Sequence, residues 1–175
     1  MRCLVWMSGS LVAWALLPST AWAYEDQATL GLELGYAGIP QSDTLPRNGF
    51  DIGLSAGAGI GDAWNIQGLL SYSVLANESP LHLGTAGLET VYALDIVRFV
   101  PLVGFGIDGL LTVRDRGTRG DFALHVLLGV DYLINPRWLI GADVRGYWVA
   151  TNARSPLDPF ILVAAVRVGV RFEHQ

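Results

Sequence analysis

Apolar and non-apolar side chains alternate one for one along eight separate stretches of this 175-residue chain. That period of two constrains its fold more than any other feature. From Phe122 to Ile134, Phe122, Leu124, Val126, Leu128, Val130, Tyr132 and Ile134 share one parity. Ala123, His125, Leu127, Gly129, Asp131 and Leu133 share the other. A strand sends successive side chains to opposite faces, so the pattern predicts β-strands with one bulky apolar face. The opposite face carries carboxylates, arginines and many glycines, which makes a poor core. The arrangement that suits both faces is a sheet turned inside out, a transmembrane β-barrel with lipid outside. A soluble barrel with an apolar interior, of the lipocalin type, is the alternative from another class.

The start of the chain fits export. Met1-Arg2-Cys3 is short and basic, and Leu4–Leu17 is apolar apart from Ser8, Gly9 and Ser10. Pro18-Ser-Thr-Ala-Trp-Ala23 then ends in a small-x-small pattern. This reads as a signal peptide over 1–23, cleaved after Ala23, with the barrel over 24–175. A membrane anchor is the other reading, but the run is short for a spanning helix. Cys3 would leave with the signal, so the mature chain holds no cysteine and no disulfide. All 11 basic residues are arginine, against 16 acids and a net charge of −5. Without a basic cluster, nucleic acid is not expected as a partner.

The strands are placed at 28–37, 49–61, 64–75, 84–97, 100–113, 122–134, 137–150 and 160–172, each long enough to cross a bilayer when tilted. Tight connections (61–63, 97–99, 135–136) alternate with longer ones (38–48, 76–83, 114–121, 151–159) rich in Pro, Ser, Asn, Asp and Arg. Short periplasmic turns and longer outer loops are the rule for bacterial barrels, and both termini then lie on the periplasmic side. Trp64, Tyr92, Tyr132, Trp138 and Phe172 fall near one rim and Tyr36, Phe50, Tyr72, Phe122, Trp148 and Phe160 near the other, all on the lipid-facing parity. Two aromatic belts at the interfaces are expected of such a barrel. Phe105 stands apart, near mid-strand. Pro101 and Pro159 fall at strand starts and Pro136 in a turn, where a missing N–H does least harm.

Two segments carry a family resemblance. Tyr92-Ala-Leu-Asp95 followed by Phe99-Val-Pro-Leu-Val-Gly-Phe-Gly-Ile107 resembles the central hairpin of small outer-membrane barrels of the outer membrane protein A and X type. Val166-Arg-Val-Gly-Val-Arg-Phe172 resembles the terminal signal that such proteins present to the barrel-assembly machinery, although Glu173-His174-Gln175 follow it. The resemblance implies an eight-stranded antiparallel up-and-down barrel in the outer membrane. It also implies outer-membrane lipid and lipopolysaccharide as surroundings, the assembly machinery as a partner during biogenesis, and a monomer.

By parity the lumen receives Glu33, Asp51, Glu89, Asp95, Asp108, Asp131, Asp143, Arg145, Arg167, Arg171 and His125. Eight strands leave an interior that side chains can fill, and buried charges must pair or meet water. A salt-bridged plug is the expected reading, with a narrow pore as the alternative. The inward glycines (Gly31, Gly35, Gly53, Gly57, Gly59, Gly104, Gly106) keep that alternative open. A network is expected in which Arg167 bridges Glu33 and Asp143, with Arg145 one step above Asp143. No catalytic, cofactor or metal site is predicted. Ser55, Ser71 and Ser73 point inward, but on strands far from His125, while His82 and His174 fall in a loop and the tail. Gly57-Ala-Gly-Ile-Gly61 lies along a strand rather than at a helix start, so it is no phosphate loop. The expected role is non-enzymatic, structural or surface-presenting. N-terminal sequencing of the protein from cell envelopes is expected to begin at Tyr24; a chain that retains Met1–Ala23 would contradict the cleavage.

Overall fold

A computed structural model describes residues 27–40, 48–76, 80–94, 98–114, 117–150 and 160–173. The segment read as a signal peptide, and also Asp95, His174 and Gln175, lie outside the described residues. Eight strands follow in chain order: β1 (Gln27–Gly38), β2 (Asn48–Gly59), β3 (Trp64–Leu75), β4 (Leu81–Ala93), β5 (Phe99–Arg114), β6 (Gly117–Leu133), β7 (Trp138–Val149) and β8 (Phe160–Glu173). Each pairs antiparallel with the next, and β8 returns to β1, which closes the barrel. The seam runs from Gln27 opposite Glu173 to Gly38 opposite Leu162.

The largest departures from the sequence reading are at two connections. The stretch 114–121, read as an outer loop, is mostly ladder. Arg114 pairs with Gly117, and Thr112 with Arg119. β5 and β6 are consequently 16 and 17 residues long, against 12 to 14 elsewhere. Gly117 has φ +136°, a conformation that glycine adopts without strain at this tip. β4 likewise starts at Leu81 rather than 84 and ends at Ala93 rather than 97, so Phe99 opens β5 instead of completing a turn. The turns at 61–63 and 134–137 are tight. Asn135 closes the second by accepting, on its side-chain oxygen, the backbone N–H groups of Arg137 and Trp138.

Parity is as the alternation requires. In β6, Phe122, Leu124, Val126, Leu128 and Val130 are exposed, while Ala123, His125, Leu127 and Asp131 are buried. The aromatic belts form as cross-strand pairs. Trp64 packs edge-on against Tyr92 at 4.9 Å between ring centroids, Phe99 against Tyr132 at 5.0 Å, and Trp148 against Phe160 at 5.4 Å. Phe99 is a belt residue that the sequence reading had placed in a turn. Phe105 is exposed at mid-strand, on the outer face. A concavity of about 830 Å³ bordered by Leu30, Leu54, Ala56, Gly68, Leu70 and Ala86 is a dent in this same outer face, where the side chains are short, and not a lumen.

The interior is layered. Toward the end away from the termini, Ile39, Leu75, Leu81, Leu83, Tyr147 and Ile161 belong to an apolar cluster. A smaller apolar cluster of Val91, Ala93, Val100, Leu102 and Leu127 sits toward the terminal end. Charged side chains lie between them. The sequence reading expected a polar interior throughout. The apolar layers escape it because Leu81 and Leu83 fall in the polar-flanked stretch 76–83, which reads as loop, and Leu75 and Ile161 sit at strand ends.

The parity yields a depth-dependent prediction. Leu128→Arg places a charge in mid-wall on the outer face and is expected to cost about 2–4 kcal/mol in urea unfolding from lipid vesicles, whereas Phe122→Arg at the rim costs about 0–1 kcal/mol. Equal costs at the two positions would contradict the assigned faces.

Candidate functional site

The charged layer draws on every strand, because each contributes an inward-pointing polar residue at mid-height. Arg145 of β7 is its centre. Its guanidinium donates from Nη1 to Glu33 Oε2 at 2.6 Å and from Nη2 to Glu33 Oε1 at 3.3 Å, a two-pronged grip across the barrel to β1. Nη2 also reaches Glu89 Oε1 of β4 at 3.5 Å. Nη1 stands 2.9 Å from Asp143 Oδ1, but the angle there is poor for a hydrogen bond, so this contact is electrostatic. Glu89 continues the chain through Oε2, 2.9 Å from His125 Nε2 of β6. The other ring nitrogen of His125 lies 2.5 Å from Asp108 Oδ2 of β5. Ser73 of β3 donates to Asp51 of β2 at 2.5 Å.

Arg167 does not bridge Glu33 and Asp143. The register places it opposite Glu33 on β1, as expected, but opposite Gly141 on β7, while Asp143 faces Ala165. The expected register in β7 was therefore off by two residues. Arg167 turns instead to Asp131 of β6, donating from Nε at 2.9 Å and Nη2 at 2.6 Å. Arg145 takes the place between Glu33 and Asp143 that Arg167 was expected to fill. Gly141 makes the Arg167–Asp131 pair possible, because it lies between the two on the intervening strand. A Cβ there would fall 2.0 Å from Asp131 Oδ1 and 3.2 Å from Arg167 Cγ.

The same reciprocity recurs around the lumen, and it answers what the inward glycines are for. A Cβ at Gly106 would fall 2.5 Å from His125 Cε1, one at Gly31 2.6 Å from Ser55 Oγ, and one at Gly87 2.0 Å from Asp108 Oδ1. The room beside each of these glycines holds a neighbour's side chain. Nearer the terminal end, a polar cavity of about 30 Å³ among Thr29, Asn65, Gln67, Asp131, Arg167 and Arg171 is large enough for water.

The layer sets each of its two central arginines against carboxylates. Both nitrogens of His125 are engaged by carboxylates, which leaves neither for Ser55, Ser71 or Ser73. Among the described residues, no cluster of His, Cys, Asp and Glu could hold a metal ion. His82, read as a loop residue, sits on β4 and faces Tyr72, whose hydroxyl is 2.6 Å from its Nδ1, on the outer face near the rim.

Residues 9–172 match the model of the outer membrane protein beta-barrel domain. The chain belongs to this outer-membrane β-barrel family. The structure is similar to that of Neisserial surface protein A, with 18% identity, a TM-score of 0.67, and coverage of 86% of this chain and 98% of that one. It is also similar to the N-terminal β-barrel domain of Pseudomonas aeruginosa OprF (16%, TM-score 0.63, covering 85% and 99%). A third similar structure is Ail, the attachment invasion locus protein of Yersinia pestis (14%, TM-score 0.57, covering 85% and 99%). No curated protein matches the chain. Membership places this barrel in the outer membrane, which rules out the lipocalin-like alternative. At these identities the three structures speak for the fold alone.

Gly141→Ala is expected to push Asp131 and Arg167 apart and cost about 1–3 kcal/mol, the range for overpacking a close-packed interior. Arg145→Gln removes the common partner of three acids and is expected to cost about 3–5 kcal/mol. Urea unfolding in lipid vesicles checks both, and neutral substitutions would show that the layer is loosely packed and wet.

Proposed function

We propose that this chain is a non-enzymatic barrel of the outer membrane that reinforces the envelope and carries surface loops, with a lumen kept shut by its own side chains. One observation carries the closed lumen: the fully buried Arg145 crosses the interior to Glu33 and Glu89, between two apolar layers. A hydrated ion would have to break that grip and then pass side chains such as Leu75, Leu83 and Ile161, which expose almost no surface. The wall is the working surface. Lipid and, on the outer side, lipopolysaccharide are its surroundings, and the rings of Tyr36, Phe50, Tyr72, Phe122 and Trp148 mark the level of the interface. The barrel-assembly machinery would read β8, on which Phe172 is exposed on the outer face. The barrel acts as a monomer in this reading, and with net charge −5 it does not bind nucleic acid. The surface-presenting part accords with the name of the Neisserial relative in fold, a surface protein.

A narrow cation-selective channel is the second reading. It draws on the excess of acids around Arg145 and on the polar cavity toward the terminal end. Planar bilayers separate the two. Pure folded protein is expected to give no conductance, or only rare small steps. Large, regular, cation-selective steps would overturn the closed lumen and establish the channel.

A further inference from the structure

His125 occupies a seat that only one proton count fits. Its side chain, and those of Asp108 and Glu89, are completely buried. Nδ1 faces Asp108 Oδ2 at 2.5 Å and Nε2 faces Glu89 Oε2 at 2.9 Å. An ionised carboxylate only accepts hydrogen bonds, whereas a neutral imidazole has one N–H and one bare lone pair. A neutral ring here would aim that lone pair at an anion, with no water between them. The geometry is satisfied when both nitrogens carry hydrogen, or when the ring shares the extra proton with one carboxyl. Either way the three groups hold one proton more than a neutral ring between two carboxylates.

The surroundings on every side are consistent with this. From β4 comes Glu89, and from β5 Asp108. From β7 come Tyr147, whose ring lies 5.1 Å away, and Arg145, which contacts the other oxygen of Glu89. Among the described residues no other charged group stands within ion-pair distance of the ring. Gly106, opposite His125 on β5, leaves the space in which the ring lies.

We propose that this proton is a structural part of the barrel: it latches β4, β5 and β6 together through His125, and its loss under alkaline conditions releases the latch. The sign follows from proton counting. If the folded barrel holds the proton after the unfolded chain has released it, stability falls as pH rises through that interval. The latch makes the charged layer responsive to pH, and it stands independently of whether the lumen conducts.

Two measurements test it. Nitrogen-15 NMR of the folded protein in detergent micelles at neutral pH is expected to show N–H character at both ring nitrogens of His125, with Asp108→Asn used to assign the signals. Urea unfolding in lipid vesicles is then compared between neutral and strongly alkaline pH. The wild-type midpoint is expected to fall. In Asp108→Asn the amide can donate to a bare Nδ1, so a neutral ring fits, and the midpoint should depend much less on pH. A bare ring nitrogen at neutral pH together with carbon-13 carboxyl shifts of ionised Asp108 and Glu89 would overturn the proposal, as would identical pH dependence in the two proteins. If Asp108→Asn does not fold, the ring and carboxyl signals of the wild type, assigned through their couplings within each residue, decide alone.

Discussion

The hydrogen bonds between β1 and β8 are the constraint on which everything else rests. In hydrocarbon no water satisfies a backbone N–H or C=O, so a sheet can cross a membrane only if it has no edge. The antiparallel seam from Gln27–Glu173 to Gly38–Leu162 removes the edge. Once the sheet closes, period-two alternation assigns every side chain to lipid or lumen, and there is no third place for a misfit. The exposed face of Leu, Val, Ile and aromatic side chains is therefore a solvent-matched surface, and the arginines and carboxylates are forced together inside.

Eight strands enclose little space, and the interior fills it by trading side chains against glycines. Gly141 stands between Asp131 and Arg167, Gly106 beside His125, and Gly87 beside Asp108. The long side chains reach beyond their hydrogen-bonded neighbours. Arg145 of β7 crosses to Glu33 of β1, and Arg167 of β8 crosses β7 to Asp131 of β6. Such contacts fix the cross-section of the barrel as well as the register of adjacent strands. Charge pairs of this kind need not make the fold more stable than an apolar filling would, but removing one partner strands the others in a dry interior.

The strand count, the parity and the belts were legible in the sequence because each rests on local alternation. The partners of the charges were not. Counting up three adjacent strands from their ends put Arg167 opposite Glu33, which is where the ladder places it. The same counting put Asp143 beside Arg167, where the ladder has Gly141. A two-residue slip keeps parity, so nothing in the alternation signals it. Asp131, Glu89 and Asp108 were placed inward but left out of the network, because their partners lie across the lumen or along a diagonal that strand-by-strand counting does not reach. The polar stretch 114–121 was misread because polarity marks loops only where a sheet ends at the membrane surface; the β5–β6 ladder continues through Thr118, Arg119 and Gly120.

An inside-out barrel of this kind needs lipid on its outside and is held shut around its circumference by the β1–β8 seam. Gel mobility with and without boiling in SDS tests it most directly, on protein folded in detergent or lipid. A compact, fast-migrating species that shifts on boiling is expected, with the folded form recovered only when detergent or lipid is present. A folded, soluble monomer that forms without either would contradict it.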